Sequence, residues 1–240
     1  MQSRQNEALN DIQSKSNEMN QIKDKLESTN HFKFDLLSFD KYSFGSLCLR
    51  EYNSSIDPFQ SQILTCQHPF ELMMLCEFCP NDKFTLLYRG TRDGFGSGDF
   101  HSKCDGHKNT LTICKAKESS YIFGGFPTAD WKSSDYWKSD SNAFLLSLKN
   151  KDNKPVKMRI NPNHTDMAIY CDDGYGPTFG DGRDIKIANN ANTTMKSYSK
   201  LGSIYQHPQY AFDSNEADTF LAGSHKFQLH EIEVYHRNSE

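Results

Sequence analysis

Short apolar runs separated by glycine-rich turns dominate the chain from residue 84 onward. The runs at residues 84–88, 110–115 and 121–126 have the length and the aromatic and β-branched content of strands. Two later runs, at residues 156–160 and 167–171, alternate apolar and polar positions as half-buried strands do. Many short strands joined by tight turns predict a mainly β fold built from antiparallel sheets.

The last apolar run, residues 227–235, changes phase once. Its apolar side chains alternate with polar ones up to Leu229, and the alternation slips at His230 and Glu231. The slip predicts a β-bulge that re-aims the carboxylate of Glu231. The segment just before this run, residues 220–224, is predicted to form a further strand.

The first 30 residues carry no glycine, proline or aromatic side chain and are predicted to form a polar helix. Ile12, Met19 and Leu26 recur every seven residues, which is the spacing of a coiled coil. Ser16 and Lys23, however, occupy the companion positions of that repeat. The segment is therefore either a short coiled coil that pairs with a partner or with its own copy, or a single solvated helix.

Changes in composition divide the rest of the chain. The predicted parts are a polar helix at 1–30, a connector at 31–60, a domain at 61–236 and a tail at 237–240. Asp57 and Pro58 suit the start of a helix that would continue through Ile63 and Leu64. A second apolar helical run at residues 70–78 would end before Pro80.

The composition also limits which kinds of partner the chain can bind and which cellular compartment it suits. The chain has 240 residues and a formal net charge of -4, which disfavours nucleic acid because phosphate binding needs a basic excess. It contains no run of about 20 apolar residues that could span a membrane, and its first residues lack the apolar core of a signal peptide. Seven cysteines, an odd number in a chain without that signal, predict reduced thiols and a cytoplasmic location.

Two clusters have the residue types of metal sites. Cys76 and Cys79 have zinc-ligand spacing, and His101, Cys104 and His107 follow. The first pair lies in an apolar run, so we interpret the thiols as buried and His101 as a helix-face side chain. The acidic loop at 172–184 lacks the ligand ladder of a calcium site, and no metal or cofactor is expected.

Carboxylates and one thiol are the remaining candidates for chemistry. Asp184 is expected to accept backbone N–H groups or to pair with an arginine such as Arg92. Glu231 and Glu233 are either a catalytic pair, partner-facing or solvated carboxylates, or part of a structural salt link. Cys104 lies beside Lys103 and is the best candidate for a thiol of lowered pKa, hence for redox or nucleophilic activity.

Several blocks of sequence occur in an order that resembles a TLDc domain, the module of the oxidation-resistance proteins. The blocks are Arg92-Asp93-Gly94-Phe95, Phe100-His101, Lys103-Cys104-Asp105, Gly124-Gly125, Gly176-Pro177, Phe179-Gly180, Gly182, Asp184-Ile185 and Glu231-Ile232-Glu233-Val234. The resemblance covers roughly residues 61–235. It implies a sandwich of two antiparallel β-sheets with a few short helices.

The resemblance also implies a function. Proteins with similar domains are linked to protection from oxidative stress and bind the peripheral sector of the vacuolar-type proton ATPase. We therefore expect a non-catalytic module that binds a protein partner through sheet edges and loops. The residues expected at the binding surface are Arg92, Asp93, Gly94, Phe95, Gly124, Gly125, Phe179, Gly180, Gly182, Asp184, Glu231 and Glu233. The alternative is a thiol-based redox-active or hydrolytic protective enzyme using Cys104.

Overall fold

The structure is a computed structural model that describes residues 60–65, 68–79 and 83–238. The predicted polar helix at residues 1–30 and almost all of the predicted connector lie outside these residues. The coiled coil therefore stays a prediction.

Four short α-helices and twelve strands make up the regular structure of the described residues. The helices are α1 (Pro69–Phe78), α2 (Gly90–Asp93), α3 (Ser97–Cys104) and α4 (Asn215–Phe220), and a 3-10 helix spans Pro162–Met167. The strands are β1 (Phe84–Arg89), β2 (Thr110–Ala116), β3 (Ile122–Phe126), β4 (Tyr136–Lys138), β5 (Phe144–Lys149), β6 (Val156–Arg159), β7 (Ile169–Cys171), β8 (Tyr175–Phe179), β9 (Ile185–Ala188), β10 (Ser197–Tyr198), β11 (Lys226–Phe227) and β12 (Leu229–Arg237). None of these helices is long and apolar enough to cross a bilayer.

The strands of the described residues form two antiparallel sheets of six strands each. Sheet 1 has the order β1-β12-β2-β3-β5-β6, and sheet 2 has the order β11-β10-β9-β8-β7-β4. The prediction of a mainly β fold with two antiparallel sheets and a few short helices is confirmed.

Sheet 1 is covered on both faces. Its inner face packs against sheet 2, where Phe123 meets the Phe227 ring with the ring centres 5.4 Å apart. Its outer face holds a second hydrophobic cluster, in which Leu75 of α1 joins Leu111 and Ile113 of β2. No corresponding cluster of the described residues covers the outer face of sheet 2.

The predicted bulge in β12 is confirmed. The pairing of β12 with β2 shifts register between Leu229 and Glu231. Because of this shift, Leu229, Ile232 and Val234 all enter the core between the sheets, and Glu231 is turned to the opposite face with Glu233. The bulge therefore decides where both carboxylates point.

Two predicted elements are wrong. Residues 220–224 do not form a strand, because α4 reaches Phe220 and a turn follows. The Ser214 hydroxyl accepts a hydrogen bond from the Ala217 N–H at 3.2 Å, which caps this helix. Residues 61–64 form a bend rather than a helix, since the Ser61 hydroxyl accepts from the Leu64 N–H at 2.7 Å.

Close packing explains the Gly124-Gly125 pair, which lies inside β3. A Cβ atom on Gly124 would lie 1.8 Å from the carbonyl oxygen of Thr112 on the neighbouring strand. A Cβ atom on Gly125 would lie 2.7 Å from the ring of Phe179, which reaches across from sheet 2. The two glycines thus permit the close approach of a neighbouring backbone and of an aromatic ring.

Replacing Gly124 with Ala should therefore destabilise the domain. We expect the free energy of unfolding to fall by about 3 kcal/mol, because the added methyl group meets a backbone atom that cannot move aside. Urea denaturation measures the change. Gly98→Ala is the matched control, since nothing lies within 4 Å of its added Cβ atom and helix α3 should gain about 0.5 kcal/mol. Equal effects of the two changes would contradict the packing explanation.

Candidate functional site

The bulge of β12 directs two glutamates to the outer face of sheet 1. There they meet the bend at residues 61–64 and the start of α2. We call the resulting group the glutamate cluster: Ser61, Arg89, Thr91, Glu231 and Glu233. Glu231 is 2% exposed and Glu233 is fully buried, so each carboxylate needs partners within the protein.

Glu233 receives four hydrogen bonds, two on each oxygen. Oε1 accepts from the Gln62 N–H and from Arg89 Nε, both at 2.8 Å. Oε2 accepts from the Ser61 hydroxyl at 2.6 Å and from the Tyr235 hydroxyl at 2.8 Å. The ion pair with Arg89 is almost entirely removed from solvent, because the guanidinium side chain is 13% exposed.

Glu231 joins β12 to the start of α2. Its Oε1 accepts from the backbone N–H of Thr91 at 3.1 Å and from that of Ile232 at 2.9 Å. Its Oε2 accepts from the Thr91 hydroxyl. A cleft of about 290 Å³ opens beside these contacts. The cleft is lined by Gln62, Arg89, Thr91, Arg92, His230 and Glu231.

Three roles were considered for Glu231 and Glu233: catalysis, contact with a partner or solvent, and a structural salt link. The geometry of the cluster favours the salt link. A carboxylate offers about four acceptor positions, and all those of Glu233 are occupied by donors of the protein itself. Three of these donors come from residues 61–62 and Arg89, which lie far from Glu233 in the chain. The carboxylate therefore fastens the segment before α1 and the end of β1 onto β12.

The loop from Arg92 to Phe95 is partly held by its own side chains. Arg92 is exposed, donates to both Asp93 oxygens at 2.9 and 2.7 Å, and also donates to the Leu87 carbonyl. Asp93 in turn accepts from the Arg89 N–H at 2.9 Å. The hydrogen bonds from Arg92 lower the pKa of Asp93 and outweigh its partial burial. Phe95 packs against the core, so this loop offers Arg92 as its main exposed group.

The second loop, between β8 and β9, is fixed by Asp184. This carboxylate is fully buried and accepts from the backbone N–H groups of Gly202, Ser203, Ile204 and Tyr205 at 2.7 to 3.4 Å. Of the two alternatives expected for Asp184, backbone N–H groups or an arginine such as Arg92, the structure shows the first. Burial raises the pKa of Asp184 to about 7, although the four N–H groups favour the charged form.

Seven of the residues predicted to contact a partner lie in the interior, so this part of the predicted binding surface is corrected. The buried residues are Gly124, Gly125, Phe179, Gly180, Asp184, Glu231 and Glu233. Residues in the interior offer a partner little surface to contact, so these residues shape the loops and sheets instead. Arg92 is exposed, and Asp93, Gly94, Phe95 and Gly182 are half-buried. For these five, partner contact stays a prediction.

Cys104 lies in a different environment from the one predicted. The side chain is fully buried between α3 and the core. Burial raises the pKa of the Cys104 thiol, and the carboxylates of Asp105 and Asp93 raise it further. The neighbouring Lys103 is exposed and does not offset these effects. The expected lowered pKa is therefore wrong, and the thiol stays protonated.

Two of the residues weighed as metal ligands, His101 and Asp172, make ordinary hydrogen bonds within the protein. The His101 ring contacts Asp105 Oδ1 at 2.7 Å through Nδ1, and the carbonyl oxygens of Asp172 and Tyr175 through Nε2. Asp172 Oδ1 accepts from the Gly174 N–H at 2.8 Å and caps a turn. Among the described residues, no group of three or more His, Cys, Asp or Glu side chains is arranged to hold a metal ion.

One group of surface residues was not predicted from the sequence. Trp137, Tyr170, Tyr175, Arg183, Lys186 and Tyr198 lie together on the outer face of sheet 2. A sequence signal for two of them existed, since Tyr170 and Lys186 each stand between apolar residues in a short strand. Such positions point away from the core. The signal does not reveal that residues from six segments of the chain meet there.

The family model of the TLDc domain matches residues 58–238. The chain belongs to the TLDc domain family. No curated protein matches the chain. In this TLDc domain, most of the glycine and acidic residues of the matching blocks are buried and hold loops and sheets together.

Replacing Glu233 with Gln tests the glutamate cluster. We expect the free energy of unfolding to fall by about 3 kcal/mol, because the change leaves the Arg89 charge without its buried partner. Urea denaturation measures this fall. Asp213→Asn is the control, because Asp213 is 71% exposed in its ion pair with Lys200 and its charge should matter by under about 1 kcal/mol. A loss at Glu233 no larger than that at Asp213 would contradict the salt link.

The burial of Cys104 predicts that its thiol is unreactive in the folded domain. We expect iodoacetamide at mildly alkaline pH to label Cys104 only when urea unfolds the chain, because the thiolate is the reactive form. Site-resolved mass spectrometry measures the labelling with and without urea. Equal labelling rates in the two conditions would show that the thiol is accessible and ionised in the native state.

Proposed function

We propose that this TLDc domain is a non-catalytic protein-interaction module. Membership of the TLDc family is the observation that carries the proposal. The geometry supports it, because the candidate catalytic groups are used internally: Glu233 has four protein donors and Cys104 is buried with a raised pKa. The module would act in the cytoplasm and contribute to protection from oxidative stress.

The partner that we propose is the peripheral sector of the vacuolar-type proton ATPase, as the resemblance implies. Two loops on the rigid sandwich would contact it. They are the loop from Arg92 to Phe95, which we call the α2 loop, and the β8–β9 loop with Gly182. Both loops have a fixed backbone, the first through Asp93 and the second through Asp184. Fixed loops lose little conformational entropy on binding, which favours affinity.

Burial of Cys104 disfavours the alternative of a thiol-based redox-active or hydrolytic enzyme. Thiol catalysis needs an accessible thiolate, and the structure provides the opposite environment. A protective effect on cells would then arise from the bound partner rather than from a reaction at this thiol.

Affinity capture of the tagged chain from its source lysate tests this function. We expect mass spectrometry to find peripheral subunits of the proton ATPase with the native chain, and about tenfold less with Arg92→Glu, because charge reversal at an interface weakens binding strongly. Arg159→Glu is the matched control, since Arg159 is also exposed but lies on β6 at the far edge of sheet 1.

Circular dichroism must show that both variants remain folded. No enrichment of pump subunits over an untagged lysate would contradict the pump assignment. Equal losses with Arg92→Glu and Arg159→Glu would contradict the assignment of the α2 loop.

A further inference from the structure

The outer face of sheet 2 carries aromatic rings and cations in alternation. The strand register places them side by side, since Trp137 of β4 pairs with Tyr170 of β7 and Lys186 of β9 pairs with Tyr198 of β10. All of these side chains are half-buried. We call this surface the aromatic-cationic face: Trp137, Tyr170, Tyr175, Arg183, Lys186 and Tyr198.

The members of the face form one continuous series of contacts. The rings of Trp137 and Tyr170 have centres 4.6 Å apart. The Arg183 guanidinium lies 5.2 Å from the Tyr170 ring centre and 4.9 Å from that of Tyr175. The Lys186 ammonium lies 3.8 Å from the Tyr175 ring centre and 5.4 Å from that of Tyr198. These distances lie within the range of cation–π attraction.

Neither cation of the face is neutralised by a carboxylate. Within the described part of the chain, Arg183 and Lys186 form no ion pair, in contrast to Lys138 on the neighbouring edge, which pairs with Asp130 at 3.0 Å. Aromatic rings satisfy a cation only partly, so both charges remain available to an anionic group.

The backbone of Arg183 is held in a conformation that an ordinary side chain seldom adopts. Its φ is +57°, which lies in the left-handed region. The adjoining Asp184 is anchored by its four N–H contacts, and the Arg183 guanidinium lies over the rings of Tyr170 and Tyr175. A strained backbone at a half-buried surface residue such as Arg183 is typical of side chains that have a function.

A groove of about 830 Å³ continues the face past the edge strand β4. Trp137 belongs to both surfaces, and the groove also contains the exposed lysines Lys108 and Lys132. Neither lysine forms an ion pair with a described residue. The carboxylates of Asp130 and Asp140 also line the groove, and Asp130 is paired with Lys138. Three lysines against two carboxylates leave a small excess of positive charge at this edge of the sheet, in a chain whose net charge is -4.

We propose that the aromatic-cationic face binds an acidic segment of a protein partner. Carboxylates of the partner would pair with Arg183 and Lys186, and its aliphatic groups would pack on the rings. Tyr, Trp and Arg are the residues that contribute most binding energy in protein interfaces. This inference rests on the proposed function as an interaction module and specifies the surface and the chemistry of its partner.

The arrangement of the rings favours a protein over single-stranded nucleic acid. Bases stack on open ring faces, whereas Lys186 covers the Tyr175 ring at 3.8 Å. The Tyr170 hydroxyl donates to the carboxylate of Asp135, which places a negative charge at the margin of the face. A polyanionic backbone would be repelled there, and a short acidic segment of a protein can avoid it.

The test uses a fluorescein-labelled peptide of Glu and Leu that forms a helix with one acidic face. The probes for comparison are the same pattern with Lys in place of Glu, and an oligouridylate. Fluorescence anisotropy measures binding to the full chain. Acrylamide quenching provides a second readout, because Trp131 is 1% exposed and Trp137 on the face is the other of the two tryptophans. Bound peptide should protect Trp137 from the quencher.

The decisive variant is Arg183→Gly combined with Lys186→Gln. Glycine suits the left-handed backbone at position 183, so this change removes the guanidinium without adding strain. The matched control is Lys83→Gln combined with Lys154→Gln, which removes two exposed charges on the side of sheet 1. Melting temperatures of both variants report whether the fold is kept.

We expect the native chain and the control to bind the Glu peptide, and the Arg183/Lys186 variant to bind it about tenfold more weakly. Equal weakening in both variants would overturn the proposal in favour of a general charge effect. Preference for the oligouridylate or the Lys peptide, or no binding of any probe, would also overturn it. If the Arg183/Lys186 variant still captures the native partner from lysate, the interaction module stands and the assignment of this face fails.

Discussion

The buried carboxylate of Glu233 is the constraint on which the architecture of this TLDc domain depends. It lies in β12, next to β1 and β2 in a sheet that is covered on both faces. A charge in that position is tolerated only with a full set of donors, and these come from Ser61, Gln62, Arg89 and Tyr235. The segment before α1 must therefore dock on the outer face of sheet 1. Sheet 2 is left with the outer face that no hydrophobic cluster of the described residues covers.

Most residues of the family blocks have a structural role here. Gly124 admits the Thr112 carbonyl oxygen, Gly125 admits the Phe179 ring, and Asp184 binds four backbone N–H groups. Such residues specify a fold that can carry different surfaces. The side chains that would select a partner are then those that reach the surface, such as Arg92 and Lys186, on which the packing of the fold places fewer constraints.

The sequence was sufficient for those features that depend on local pattern. The period of the apolar residues located most strands, and the slip at His230 located the bulge, because alternation along a strand directly reports which face is buried. The helix at Asn215–Phe220 was missed because the apolar residues after it resemble a strand, whereas the Ser214 cap decides the structure. The family blocks did not reveal which of their side chains are exposed and which are buried. Cys104 beside Lys103 suggests an ionised thiol, but α3 turns that side chain into the core.

The aromatic-cationic face could not be predicted from the sequence either, because its residues lie far apart in the chain. Its residues come from β4, β7, β8, β9, β10 and the β8–β9 loop, and only the pairing order of sheet 2 brings them together. No short motif contains them. Once the strand order is known, their contacts follow from the register and from the outward direction of alternate side chains.

Hydroxyl-radical footprinting of the domain, alone and in complex with its captured partner, tests the central claim most directly. The proposal is that a rigid sandwich binds its partner through the outer face of sheet 2, in addition to the loops at Arg92 and Gly182. It predicts that Tyr170, Tyr175, Tyr198 and Trp137 become protected from oxidation in the complex, while side chains of α1 are unchanged. Protection confined to α1 and the edge strand β6, with the tyrosines of sheet 2 still reactive, would contradict it.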